Sequence, residues 1–281
     1  MILVTGATGS IGQYLVRHLK NQGSKFKALV RDEAKGRALG CDYVVGDFDK
    51  PDTLRAAFEG IDRLFLNVAP SESMARQLNT AIDVAKAAGV SRVVPVSSPG
   101  ASTTSKLKIG RWHGEIEEHL QASGLGWSIL RPGSFMQNLL GAAPLIKSEG
   151  KIIGGYKDGR VAFIDCYDIA ACGAVLLTGN DHVGKTFVLT GREALSYPEV
   201  AQKFSAKLGK PVTYVDLPVE QVVASAKAKG TPAALAEEFG QFMTVIASGY
   251  AARTTQGIKE ITGREPRTLD QFLDENLQAF R

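Results

Sequence analysis

Residues 2–12 read Ile-Leu-Val-Thr-Gly-Ala-Thr-Gly-Ser-Ile-Gly, an apolar run that leads into three glycines spaced three residues apart. The run suits a strand, and the apolar spacing that follows it (Ile11, Leu15, Leu19) suits a helix. In this position one glycine frees the turn, one lets the backbone approach a pyrophosphate, and one lets helix pack on strand. A plain tight turn is the alternative. The stretch predicts phosphate contacts at the helix N-terminus, from Gly6, Thr8, Gly9, Ser10, Ile11 and Gly12.

The first 131 residues repeat this alternation of short apolar runs and helical patterns. The predicted strands are Ile2–Thr5, Phe26–Val30, Tyr43–Val45, Arg63–Asn67, Arg92–Ser97 and Trp127–Arg131. Runs rich in Val, Ile and Leu are typical of parallel strands that are covered on both faces. Strand alternating with helix predicts βαβ units, and therefore an α/β fold with a Rossmann-type, doubly wound parallel sheet.

After residue 131 the rhythm changes, which predicts a smaller C-terminal α+β lobe for the substrate. We expect a nucleotide-binding domain over residues 1–133 and the substrate lobe over residues 134–281. Lys151–Asp165 resembles a β-hairpin, and Asp168 is expected to cap a helix that begins at Ile169. The pattern at residues 186–190 allows the chain to return to the main sheet.

Composition excludes several classes of protein. The charge sum is +4, from 33 basic and 29 acidic residues, and no segment concentrates it, so nucleic-acid binding is not expected. The chain has no run of about 18 apolar residues and no basic-then-apolar opening, so neither a membrane span nor a secretory leader is expected. Three cysteines without a Cys-x-x-Cys pair favour a reduced, cytoplasmic compartment and no metal site.

The end of the second predicted strand bears on the type of cofactor. Arg31 can bind a 2′-phosphate through its planar fork, and Lys35 can add a positive charge. Asp32 is the competing candidate, because a carboxylate there can accept from the ribose hydroxyls of NAD(H). These basic side chains can also be a solvated helix face. The sequence favours NADP(H) and leaves NAD(H) open.

Several motifs together carry a family resemblance. They are Val4–Gly12, Leu29-Val-Arg31, Gly46-Asp47, Val94–Ser98, Leu130–Asn138 and Asp165–Ala170. On these motifs the chain resembles the NmrA-like members of the atypical short-chain dehydrogenase/reductase superfamily, over nearly its whole length. Members of this group include reductases of quinones, azo dyes and triarylmethyl compounds.

The resemblance implies roles by position. Asp47, beside Phe48, would lie against the adenine amine, and Asn67, Val68 and Ala69 would line the adenosine. Ser97 and Ser98 would border the nicotinamide. Pro132, Gly133 and Phe135 would wall the nicotinamide–substrate junction. Phe135, Met136 and Tyr156 are candidates for an apolar slot that binds the substrate. Asp47 can instead bond the turn after it, and Phe135, Met136 and Tyr156 can be ordinary core residues.

The proton donor of typical short-chain reductases is missing. None of the seven tyrosines has a lysine four residues later, and on the helix after Ser98 the positions of that pair are held by Ile109 and His113. His113 can donate a proton, bind the nicotinamide ribose or amide, or be a helix histidine without a role in the site. Quinones and azo and triarylmethyl compounds accept hydride without needing a strong acid.

Two functions from different classes therefore remain. The first is an NAD(P)H-dependent reductase that transfers hydride to a flat aromatic small molecule without a Tyr-x-x-x-Lys acid. The second is a non-catalytic NADP(H) sensor of the NmrA type, which regulates a partner. A sugar-nucleotide epimerase is disfavoured by the missing tyrosine. We expect a monomer or homodimer.

Overall fold

The computed structural model describes residues 1–281. The strands are β1 (Ile2–Val4), β2 (Phe26–Val30), β3 (Tyr43–Val45), β4 (Arg63–Leu66), β5 (Arg92–Pro95), β6 (Gly126–Pro132), β7 (Lys151–Gly154), β8 (Arg160–Val161), β9 (Lys185–Leu189), β10 (Leu195–Ser196) and β11 (Thr213–Asp216). The helices are α1 (Ser10–Asn21), α2 (Glu33–Ala38), α3 (Pro51–Phe58), α4 (Met74–Ala87), α5 (Lys108–Ala122), α6 (Ala143–Glu149), α7 (Cys166–Thr178), α8 (Tyr197–Leu208), α9 (Val219–Ala228), α10 (Ala233–Ala247), α11 (Gly257–Thr262) and α12 (Leu269–Asn276). Short 3₁₀ helices cover Met136–Ala142, Tyr250–Ala252 and Leu277–Phe280. None of these helices is both long and apolar enough to cross a membrane.

The chain divides into two compact units, each assembled from separate segments. The first unit contains residues 1–132, 166–189 and 257–264. The second unit contains residues 133–165, 190–256 and 265–281. No single point in the sequence separates the two units.

The first unit is built on a seven-stranded sheet in the order β3-β2-β1-β4-β5-β6-β9. Each neighbouring pair is parallel, and β9 joins the edge of the sheet beside β6 through the register Ser128–Lys185 to Pro132–Leu189. The predicted α/β class with a Rossmann-type parallel sheet is confirmed. The strand order reverses between β1 and β4, and ligands of such sheets bind at the carboxyl ends of the strands at this reversal.

The sheet is buried on both faces, as the apolar strand sequences predict. On one side the apolar stripe of α4 (Met74, Leu78, Ile82) packs with Ile116 and Leu120 of α5 in one core cluster. On the other side α7 packs on α1 and against β4, β5 and β6. The predicted start of α7 is wrong: the helix begins at Cys166, so Asp168 lies inside its first turn rather than before it.

The second unit holds two small sheets, and the predicted hairpin over residues 151–165 is wrong. β7 pairs in parallel with β11, whereas β8 pairs antiparallel with β10. The segment between β7 and β8 turns around Tyr156, whose ring stacks on Tyr197 with centroids 3.8 Å apart and whose amide donates to Tyr214 Oη at 2.9 Å. Lys-Asp-Gly between two apolar runs is typical of a hairpin, but the partners of both strands come from later in the chain.

Candidate active site

The glycine turn joins β1 to α1, and its three glycines have different surroundings. Gly6 has φ +63°, and a Cβ there would lie 2.9 Å from the carbonyl oxygen of Asn67. A Cβ on Gly12 would lie 2.1 Å from the carbonyl oxygen of Gly6, so this glycine lets α1 pack closely on the turn. A Cβ on Gly9 would meet only that same oxygen, at 3.3 Å. Gly9 therefore leaves an open surface where a phosphate can approach the backbone.

Gly9 is also the N-cap of α1, and no side chain caps the helix there. The N–H groups of a first helical turn have no acceptor within the helix. Their positive partial charge stabilises a nearby anion. Thr8, Gly9 and Ser10 are exposed, whereas Ile11 is buried, so the predicted phosphate contacts come together as an uncapped, accessible helix start.

Asn67 is held against the glycine turn at the point where the strand order reverses. Thr5 Oγ1 accepts from the amide of Asn67 at 2.8 Å and lies 2.9 Å from its carbonyl oxygen. After Asn67, the side chain of Val68 is half-buried and that of Ala69 is exposed. The structure therefore brings the predicted adenosine contacts next to the predicted phosphate contacts.

Arg31, Asp32 and Lys35, at the end of β2 and the start of α2, are the three candidates for contacting the 2′ position of the adenosine ribose. Asp32 is the N-cap of α2, and its carboxylate accepts from the amide of Lys35 at 3.0 Å. Arg31 and Lys35 are both exposed. Because Asp32 is engaged in capping α2, Arg31 is the better placed of the two adjacent candidates to bind a ligand.

The segment after β3 is organised by its own turn. One carboxylate oxygen of Asp47 accepts from the amide of Asp49 at 3.1 Å, and the amide of Asp47 donates to Thr53 Oγ1 at 2.9 Å. The ring of Phe48 is buried in the core. Asp47 therefore bonds the turn after it, with its side chain half-buried, and its role towards adenine stays a prediction.

At the carboxyl ends of β5 and β6 the structure assembles a buried polar group. Ser97 Oγ donates to Glu117 Oε1, and the guanidinium of Arg131 binds both carboxylate oxygens, with Nε at 2.9 Å from Oε1. Ser98 Oγ is buried without a hydrogen-bond partner. An unsatisfied buried hydroxyl is costly, and it is free to bind a ligand group beside Ser97.

His113 lies one turn before Glu117 on α5, with 9% of its surface exposed. Burial, with a smaller contribution from the Arg131 cation, lowers the pKa of His113 to about 4. The ring is therefore neutral at pH 7, where one nitrogen donates and the other accepts. An imidazolium at this position is not available as a proton donor near neutral pH. Ile109, at the other position of the missing pair, packs against the core.

Replacing His113 by glutamine is expected to make the free energy of unfolding fall less steeply as the pH is lowered below about 6.5. Because the folded-state pKa lies below the unfolded value of about 6.5, the unfolded chain binds the proton first as pH falls. The wild type should lose about 3 kcal/mol between pH 6.5 and 4 that the variant does not lose. Urea unfolding at each pH measures this, with His119→Gln as the control, since that ring on the same helix is 36% exposed. A wild-type-minus-variant difference that is constant from pH 7 to 4 would contradict the expectation.

The three predicted substrate contacts lie in the second unit and are not equivalent. Met136 is buried in its core. Phe135 is half-buried and forms a parallel bridge with Ile164. Tyr156 is half-buried and stacks on Tyr197. Gly133 also belongs to this unit, whereas Pro132 ends β6 in the first.

Two residues of the buried group, Glu117 and Arg131, were not among the predicted site residues. The four-residue spacing of His113 and Glu117 places them on one face of a helix, and Arg131 directly precedes Pro132. These are the signals in the sequence. The ion pair itself joins a helix to the end of the following strand, which no local pattern reveals.

Comparison with known proteins decides the family. Residues 1–273 match the model of the NmrA-like family. The chain belongs to the NmrA-like family. It is 39% identical over 284 residues to the NAD(P)H azoreductase of Xenophilus azovorans, covering 100% of this chain and 99% of the relative. It is 31% identical to quinone oxidoreductase 2 of Escherichia coli, covering 96% of each.

The solved structures that are similar to this chain include complexes with nucleotide. One of them is the NADPH-dependent quinone oxidoreductase of Escherichia coli in complex with NADPH. The TM-score is 0.90 at 30% sequence identity, with 99% of this chain and all of that chain covered. The resemblance identified from the sequence motifs is confirmed.

Proposed function

We propose that this protein is an NAD(P)H-dependent reductase that delivers hydride to flat aromatic acceptors such as quinones and azo compounds, with NADP(H) as the preferred cofactor. The observation that carries the proposal is the start of α1 at Gly9. No side chain caps the helix there, and a Cβ at Gly9 would obstruct the surface through which a phosphate can approach the backbone. The names of the azoreductase and quinone oxidoreductase relatives agree with it.

Nearly all of the proposed cofactor contacts are residues of the first unit. The pyrophosphate would bind the α1 N-terminus, Arg31 and Lys35 the 2′-phosphate, and Asn67 with its neighbours the adenosine. The proposed nicotinamide contacts are Ser97, Ser98, Pro132 and the adjoining Gly133. The buried, unpartnered hydroxyl of Ser98 supports a polar ligand at this end.

When bound, NADPH supplies a hydride. The chain's own residues explain which acceptors suit it: Ile109 has no proton to give, and His113 is neutral. A quinone or a related conjugated acceptor yields a delocalised, stabilised product that water can protonate. Phe135, Met136 and Tyr156 stay predicted substrate contacts. The buried polar group at the carboxyl ends of β5 and β6 therefore orients and binds the ligand, and it does not act as a strong acid that donates a proton.

NADPH oxidation by the purified protein tests the function, with quinones, azo dyes, triarylmethane dyes and aldehydes as acceptors and matched NADH runs. We expect turnover with at least one aromatic class, no turnover with aldehydes, and preference for NADPH. Tight NADPH binding without turnover on any acceptor would instead support the sensor. Absence of both binding and turnover would overturn the proposal.

We further propose that the protein works in a reducing, cytoplasmic compartment as a monomer or homodimer. The chain has three cysteines, of which Cys166 and Cys172 are buried. Size-exclusion chromatography with light scattering measures the oligomeric state directly, and an assembly larger than a dimer would contradict this.

A further inference from the structure

Glu117 is a charged side chain buried in the first unit, with 4% of its surface exposed. Its carboxylate is bound by the guanidinium of Arg131 and by the hydroxyl of Ser97. Arg131 also reaches the carbonyl oxygen of Ala101 at 3.3 Å. A carboxylate that is paired with a guanidinium in this way accepts hydrogen bonds and donates none.

The carboxylate fixes the direction of the Ser97 proton. A hydroxyl has one proton and two acceptor lone pairs, and the proton of Ser97 is given to Glu117. Ser97 itself is held at the end of β5, where its amide donates to the carbonyl oxygen of Leu130 at 2.7 Å. The remaining capacity of Ser97 Oγ is therefore to accept, and a ligand group that binds there must donate.

We propose that Glu117 is a positioning residue that makes Ser97 an obligate acceptor, so that the protein selects a cofactor carrying a carboxamide N–H. The inference rests on the proposed function, which places the nicotinamide beside Ser97. In NADPH the carboxamide supplies the donor. A cofactor with a ketone in that position has only an acceptor, and its oxygen would face the lone pairs of Ser97 Oγ without a proton between them.

The 3-acetylpyridine analogue of NADPH, in which a methyl ketone replaces the carboxamide, tests this. We measure the Kd of NADPH and of the reduced analogue by titration of protein fluorescence, for the wild type and for Glu117→Gln, Ser97→Ala and Glu118→Gln. The wild type should bind NADPH about 10-fold more tightly than the analogue, as expected for one buried hydrogen bond. The exposed Glu118, next on the same helix, is the matched control and should keep this ratio.

In Glu117→Gln the side-chain amide can donate to Ser97, whose proton then turns towards the ligand, so the ratio should fall to about 1. Ser97→Ala should also bring it to about 2 or less, and this variant keeps the experiment decisive if Glu117→Gln does not fold. Unchanged ratios in a folded Ser97→Ala or Glu117→Gln would overturn the inference while leaving the proposed function intact. A wild type that binds neither cofactor would overturn the proposed function itself.

Discussion

Replacing Gly9 by alanine is expected to weaken NADPH binding about 10- to 100-fold while changing the free energy of unfolding by no more than about 1 kcal/mol. The Cβ would project from the uncapped start of α1, where it meets protein only at the carbonyl oxygen of Gly6, 3.3 Å away. It would keep a pyrophosphate from the backbone N–H groups, and charge-assisted hydrogen bonds contribute about 1.5–3 kcal/mol each.

Two further variants separate this effect from a general effect of added methyl groups. Gly141→Ala adds a Cβ in open space and should change neither quantity. Gly12→Ala places a Cβ 2.1 Å from a backbone oxygen and should lower the free energy of unfolding by about 1–3 kcal/mol. NADPH titration and urea unfolding are measured for all three. A Gly9→Ala protein that binds NADPH as tightly as the wild type would place the phosphates elsewhere.

Arg31→Ala is expected to reduce NADPH affinity about 10- to 100-fold and leave NADH affinity within about twofold. The guanidinium can bind a 2′-phosphate with two parallel hydrogen bonds, and NADH has no such phosphate to lose. The measurement is the Kd of each cofactor, compared with the steady-state preference for one over the other.

Arg37→Ala is the matched control for Arg31, because this arginine is also exposed and pairs with Glu33 on α2. Its loss should change neither Kd. Asp32→Ala should lower stability by about 1 kcal/mol through the lost helix cap and leave NADH affinity unchanged. If Arg31→Ala weakened the binding of both cofactors equally, Arg31 would not be the contact of the 2′-phosphate. If Asp32→Ala weakened the binding of NADH alone, Asp32 would be the residue that contacts the adenosine ribose.

The sheet was predictable because each of its strands carries its own signal. Buried residues such as Leu3, Val4 and Leu64 occur in short apolar runs, and the helices between them show their buried stripes in the spacing of apolar residues. The glycine turn was predictable for a similar reason, since backbone geometry there depends on residues close in sequence. Strands, helices and turns of this kind are determined by residues that are close in sequence.

Contacts between distant segments were not predictable in the same way. The pairing of β7 with β11 joins residues 151–154 to residues 213–216, and nothing near Lys151 indicates that partner. The ion pair between Glu117 and Arg131 has the same character, because a single charged residue in a sequence is usually exposed. Burial and pairing become visible only when α5 is packed beside β6.

The first unit is assembled from segments that are separate in the sequence, and this affects its folding during synthesis. A ribosome releases β1 to β6 first, but β9, α7 and α11 belong to the same unit and come later, the last of them ending at Thr262. Until α7 and β9 have been made, β6 has an unpaired edge and the side of the sheet that α7 covers is bare, both of which favour aggregation. The nascent chain therefore carries a nucleotide fold whose sheet is completed at Leu189 and whose last helix, α11, follows only near the end of synthesis.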